Sequence, residues 1–258
     1  MSYPIVPGKH AFDAIVTASA MLDHRRASGR IGDIAAPHGA VLCLQRGLPE
    51  RMRRTVRIKR VGRLMGALYA VRRTSGRVVV LTDFGLGAPI VAAQAEELIA
   101  LGATELVSVA LAGGLQHTMT PGSVVVVDAA IRDEGTSHHY LPAGGDVHAD
   151  LALTNRIAEA LRRRGVDHHR GQTWSTDAPY RETREEAQRY QADGVLVVDM
   201  EMAALFAVAE TRGVAAAGVL VAGDNLAGGV WTPPARLDGM ERALERVYTT
   251  VVEVLDVA

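Results

Sequence analysis

A single cysteine, Cys43, stands in a chain of 258 residues. No internal disulfide can form, and no cysteine-based metal site with repeated spacing can be built. Cys43 lies in the apolar run Ala40–Leu44 and reads as a buried core thiol. No apolar run approaches the roughly 20 residues that a membrane-spanning helix needs. The amino terminus lacks the charged segment and apolar stretch of a secretion signal. These absences lead us to expect a cytoplasmic protein that makes no use of a membrane. Charge of one sign is lacking as well. The 28 Lys+Arg and 29 Asp+Glu leave a formal net charge of -1. The basic residues form no long block, which argues against a dedicated nucleic-acid binder.

What is present is an ordinary globular composition, with 48% hydrophobic and 22% charged residues. The length suits one large domain or two small ones. There is no internal repeat, low-complexity segment or convincing linker, so one domain is expected. Residues 10–26 read as a helix, with Ala11, Ile15, Ala18 and Leu22 on one stripe. After a polar stretch, short β-branched runs alternate with helical periods. Strands are expected over 76–82, 105–112, 122–131, 170–176, 195–198 and 214–222. Helices are expected over 89–101, 149–164, 182–192, 200–212 and 234–257. Pro89 in a first turn and Gly102, Gly165 and Gly213 just past helix ends mark the boundaries. Apolar strands separated by helices imply an α/β fold, a single-domain three-layer α/β/α sandwich with a central mixed sheet.

Ligands in such folds bind beyond the carboxyl ends of strands. That rule selects the loops 83–89, 112–116, 199–201 and 223–226. The first, with Gly85, Gly87 and Pro89, lets backbone approach a sugar or anion closely, and equally suits a plain tight turn. Asp199 and Glu201 open a helix after a buried strand, where an acid can simply cap the helix. A second acid, Asp224, ends the next apolar strand. Two carboxylates in one cleft can hold a ribose diol and act on the reacting group, and they suit an ordinary glycosidase as well. The histidines offer no metal-ligand spacing with a carboxylate; His138 and His139 lie nearest the expected cleft.

The stretch VVDMEMAALFAVAETRGVAAAGVLVAGDN at 197–225 resembles the nucleoside phosphorylase-I superfamily. GLGAP at 85–89, EELIALGATELVSVALAGGLQ at 96–116, PGSVVVV at 121–127 and RDEGTSHHYLP at 132–142 support the likeness. That superfamily includes hexameric purine nucleoside phosphorylases, uridine phosphorylases and several nucleosidases. The likeness covers about 32–256, leaving 1–31 as an amino-terminal helical extension without an assigned role.

The resemblance implies roles for particular residues. Glu201 would bind the ribose hydroxyls, with Met200 against the sugar, and Asp224 would assist departure of the base. Ala112, Gly113, Val198, Pro179 and Tyr180 would line the base; relatives usually carry Phe before that Tyr. Gly47 and Arg51, in GLPER, stand where a Gly-Asp-Pro-x-Arg loop binds phosphate. Arg63 fits an arginine donated by a neighbouring subunit. The central phosphate arginine falls on Ser108, the loss of a charge-assisted partner worth roughly 1.5–3 kcal/mol, and a phosphate-binding Ser/Thr falls on Leu111, which leaves phosphate facing an apolar wall. Near the amino terminus, a 5′-side histidine falls on Arg26, with His24 out of register.

The likeness therefore implies a nucleoside phosphorylase that takes nucleoside and phosphate and needs no cofactor or metal. It implies a homo-oligomer built from dimers, up to a hexamer. Asp224 points to a purine, and Thr183 and Glu185 replace the uracil-reading Gln and Arg. RDEGTSHHYLP leans instead towards uridine phosphorylase-like specificity. A nucleosidase and a non-catalytic nucleoside-binding homologue stay open.

Overall fold

The computed structural model describes residues 5–32 and 34–256. In chain order the elements are α1 (Ala18–Ala27), β1 (Gly39–Cys43), α2 (Leu48–Arg51), β2 (Ile58–Arg63), β3 (Ala67–Val71) and β4 (Val78–Thr82). They continue as α3 (Ala88–Leu101), β5 (Glu105–Gly114), β6 (Val124–Asp133), β7 (Val147–His148), α4 (Leu151–Arg163) and β8 (His169–Thr176). The last are α5 (Arg184–Ala192), β9 (Val197–Asp199), α6 (Met202–Arg212), β10 (Ala215–Asn225) and α7 (Asp238–Asp256).

One mixed sheet runs β10-β6-β8-β9-β5-β1-β4-β3-β2, with β7 attached to β6. β10 also pairs with β5 in parallel, so β10, β6, β8, β9 and β5 close on themselves into a small ring of strands. The central strands are apolar on both faces because both are covered. Ala40 and Leu42 of β1, Val79 and Leu81 of β4, and Leu106 and Ala110 of β5 enter one core with helices α3 and α6. The intervening Val41 and Cys43, Val78 and Val80, and Val107 and Val109 enter the other, with α4 and α7. That period-2 alternation yields the α/β/α layering. Cys43 is fully buried, as its apolar run predicts.

Several boundaries differ from the expectation. The helix expected over 10–26 begins only at Ala18, where the Thr17 side chain accepts the Ala20 N–H at 3.2 Å. Ile15 and Val16, placed on its stripe or beside it, are exposed, and β-branched residues there gain nothing from helix packing. Leu22 and Ile31 enter the same core as β1. Helix α5 starts at Arg184 instead of 182, because Thr183 and Glu186 form a capping box. Helix α7 starts at Asp238, past Pro233 and Pro234; its expected last residue, 257, lies outside the described residues. The hairpin of β2 and β3 is a further strand pair that the apolar pattern does not single out.

Candidate active site

The carboxyl ends of β5 and β10 and the edge strand β9 converge on Gly113. It pairs with Val198 of β9 on one side and Asp224 of β10 on the other. A Cβ at Gly113 would lie 2.6 Å from Leu226 Cδ1, 3.0 Å from Val198 Cγ1 and 3.1 Å from Asp224 Oδ1. A side chain here would have to displace the end of Leu226 and crowd Val198 and Asp224. Between Ala222 and Asp224 the β10–β5 register shifts by one residue, leaving Gly223 as a bulge. A bulge re-aims the following side chain, here that of Asp224. Asn225 then fixes the departing chain: its Nδ2 donates to the carbonyls of Gln116 and Met119 at 2.9 and 2.7 Å.

Above this junction opens a cavity of about 870 Å³, within the usual range for a small-molecule site. Asp224, Glu201, Met200, Ala112, Gly113, Val198, Pro179 and Tyr180 all line it. Its wall is otherwise mostly apolar, with Leu86, Leu111, Leu226 and Met240 contributing. Tyr180 stands fully exposed at the rim. No arginine, lysine or histidine lines it among the described residues.

The two acids that open α6 divide their work. Asp199 is the cap: its Oδ2 accepts the backbone N–H groups of Glu201 and Met202, each at 2.7 Å. Its Oδ1 accepts from Thr173 and Ser175 hydroxyls at 2.9 and 2.7 Å. Burial pushes the Asp199 pKa up, and these donors oppose that rise. Glu201 is thereby released from capping. Its Oε1 accepts the Gly87 N–H at 2.7 Å and its Oε2 the Met200 N–H at 3.3 Å. Gly87 has φ 98°, so the glycine-rich loop at 85–89 serves to present a backbone donor to this carboxylate. Burial, followed by the Asp199 charge, raises Glu201 to about 7. With only backbone donors on it, the carboxylate keeps acceptor capacity directed at the cavity.

Asp224 accepts the Trp231 indole N–H on Oδ2 at 2.7 Å. Beside it stands Glu182, raised to about 7 by burial and then by the Asp224 charge. Sequence reasoning missed both Trp231 and Glu182. Glu182 falls inside the stretch expected as helix, and only the Thr183 cap signal, S/T-x-x-E, could have left it outside. Trp231 carries no spacing signal; its link to Asp224 is made by a loop that folds back onto β10.

The residues named for phosphate do not line the cavity. Ser108 is fully buried in mid-strand β5, and its hydroxyl has no hydrogen-bond partner there. Gly47 and Arg51 flank the turn of α2 just past β1, whose following residues Leu44 and Gln45 do reach the cavity wall. Arg63 is exposed at the end of β2. Among the described residues, no group of three or more His, Cys, Asp or Glu could hold a metal ion, and no helix is long and apolar enough to cross a membrane.

A carboxylate-bearing, mainly apolar cavity at strand ends of a three-layer α/β sandwich defines the class of fold and site. Comparison with known proteins defines the family. The sequence model of the phosphorylase superfamily matches residues 42–256, and the chain belongs to that family. Uridine phosphorylase of Salmonella typhimurium is 30% identical over 163 residues, 57% of this chain and 64% of that enzyme. The match thus spans less than two thirds of that relative's length. Guanosine phosphorylase of Halorubrum lacusprofundi is 29% identical over 184 residues, 68% of this chain and 76% of that enzyme. Among solved structures, uridine phosphorylase from Vibrio fischeri superposes with a TM-score of 0.69 at 25% identity, covering 86% of this chain and 92% of that one.

Proposed function

We propose that this chain is a nucleoside phosphorylase that cleaves the N-glycosidic bond of a purine nucleoside, releasing free base and ribose 1-phosphate. The observation that carries the reading is the placement of Glu201 and Asp224 on one apolar-walled cavity. Glu201, held by backbone N–H groups, accepts hydrogen bonds from the ribose diol, and Met200 packs against the sugar. As the C1′–N bond lengthens, positive charge grows on the ribose and negative charge on the base. Asp224 offers the base a proton or hydrogen bond, and Trp231 fixes the orientation of that carboxyl. A phosphate oxygen then bonds to C1′. None of these steps calls for a metal or an organic cofactor.

The purine assignment rests on Asp224 together with Glu182. Glu182, beside Asp224, can accept from the exocyclic amino group of a purine, a donor that uracil lacks. The neighbouring guanosine phosphorylase favours the purine, while the uridine phosphorylases favour the alternative.

Purified protein with a panel of adenosine, guanosine, inosine and uridine, with and without phosphate, tests the reading. Phosphate-dependent cleavage of a purine nucleoside is expected. Asp224→Asn should lower kcat by about 100-fold or more while leaving the melting temperature near wild type. Wild-type turnover by that variant would remove Asp224 from the chemistry. Glu182→Gln should narrow the preference for amino-bearing purines over inosine, read as the ratio of kcat/KM values.

Hydrolysis is the second reading, favoured by one observation: among the described residues, no cationic side chain lines the cavity. Cleavage at the same rate without phosphate would establish it in place of phosphorolysis. Binding without turnover would make the chain a nucleoside-binding homologue.

A further inference from the structure

A second concavity, of about 530 Å³, is lined by Arg53, Arg54, Arg57, Ile58, Arg72 and Arg73. It is remote from the carboxylate cavity by topology. Strand β3 runs antiparallel to β4, with Ala67 opposite Thr82 and Ala70 opposite Val79. The arginines that follow Val71 therefore sit at the amino end of β4, whereas the carboxylate cavity opens at the carboxyl ends of its neighbours.

Three short, well-anchored segments present these side chains. Arg53 and Arg54 come from the 3-10 turn Met52–Arg54, closed by N–H donation from Thr55 and Val56 to the Met52 carbonyl at 2.9 and 2.8 Å. Val56 is fully buried and pins the end of that turn. Arg57 and Arg72 are tied across the hairpin base, where the Arg72 N–H donates to the Arg57 carbonyl at 2.8 Å. Arg73 follows in the turn Arg72–Thr74.

The charges are almost uncompensated. Arg73 reaches Glu253 at 3.7 Å and Asp256 at 3.5 Å. Among the described residues, Arg53, Arg54, Arg57 and Arg72 have no carboxylate within ion-pair distance. In a chain of net charge -1, such a concentration is a local feature and not a reflection of composition. Like charges held together weaken the fold unless an anion neutralises them. Guanidinium groups form paired, fork-shaped hydrogen bonds to phosphate oxygens, and several around one concavity suit a chain of linked phosphates better than a single anion.

We infer that this arginine-lined concavity is a binding site for an oligophosphate chain, separate from the nucleoside cavity. The ligand is either an inorganic oligophosphate or the triphosphate of a nucleotide. The inference is independent of the reaction proposed above.

The test is isothermal titration of the full chain with inorganic tripolyphosphate, with ATP and with orthophosphate, at low and at physiological ionic strength. Tripolyphosphate is expected to bind more tightly than orthophosphate, and more weakly as salt rises. The Arg57→Ala/Arg72→Ala double variant should weaken it by about tenfold or more. ATP binding more tightly than tripolyphosphate would identify the nucleotide as the source; equal affinity would identify the phosphate chain alone. Three results would overturn the inference: no binding to wild type, equal binding to the double variant, or displacement by saturating nucleoside.

Discussion

Two acids two residues apart, Asp199 and Glu201, have opposite assignments, and only the hydrogen bonds separate them. Asp199 is spent on backbone and hydroxyl donors, while Glu201 faces the cavity. The pKa of Glu201 is raised from 4.5 to about 7, first by burial and then by the Asp199 charge. The folded state therefore holds that proton more tightly than the unfolded chain does. Its stabilising contribution is complete below the unfolded pKa and is lost as pH rises through about 7. Glu201→Gln removes the titration. Relative to wild type, the variant should gain up to roughly 3 kcal/mol of stability between mildly acidic and mildly alkaline pH. Chemical denaturation at those two pH values measures the gain, and an unchanged difference would refute it. Turnover should collapse in the same variant, and wild-type kcat/KM should fall as pH drops below about 7, where Glu201 becomes protonated. The sequence placed Glu201, Asp224 and Gly113 at strand ends, and the structure brings them together. For Glu182 the sequence offered only the Thr183 cap signal and for Trp231 nothing, because loop side chains reach a site through folds that no periodicity records.

At the scale of elements, helices with a strong apolar stripe and a glycine stop were readable nearly to the residue, as with α3 and its Gly102 cap. Most buried strands were readable because both faces of the sheet are covered, but β1, fully buried, was read only as the apolar run around Cys43. The hairpin of β2 and β3 was not readable, since Lys59, Arg60 and Arg63 put charge on an outer strand whose far side meets only the short bridge at Ile31. Helix α1 starts later than expected, at the Thr17 cap, and its hold on the molecule is polar as well as apolar. Arg25 donates from Nε and Nη2 to both carboxylate oxygens of Glu97 on α3, each at 2.9 Å, and from Nη1 to the Leu64 carbonyl at 3.3 Å. Both side chains are nearly buried, at 10% and 8% exposure, so the pair is poorly screened. Glu97→Ala should strand the guanidinium and cost about 3–5 kcal/mol, whereas replacing both partners with apolar residues of similar volume should recover most of the loss. Urea denaturation of the single and double variants reads this directly; equal destabilisation by the two would contradict it.

At the scale of the whole molecule, no Arg, Lys or His among the described residues lines the carboxylate cavity, so a phosphate dianion bound there would need a cation from elsewhere. The position read for the central phosphate arginine is Ser108, buried within β5, and Leu111 presents an apolar wall. A neighbouring copy can supply what is missing. Arg63 pairs with Ala67 at the tip of the hairpin, and Ala67 pairs with Thr82 at the carboxyl end of β4. The tip thus lies at the same end of the sheet as the cavity, but on its outer edge, with Arg63 exposed and not among the residues that line its own cavity. Phosphorolysis by this chain therefore predicts an oligomer in which Arg63 of one copy meets the phosphate of another. Arg63→Ala should raise the KM for phosphate by about tenfold or more, the value of one charge-assisted pair, while the KM for nucleoside changes little. Dilution below the dissociation constant of the oligomer should reduce specific activity in wild type, with mass followed by light scattering. Full phosphate-dependent activity in a monomer, or an unchanged phosphate KM in Arg63→Ala, would mean that the anion is held by this chain alone, leaving the loop of Gly47 and Arg51 to close over the cavity from β1.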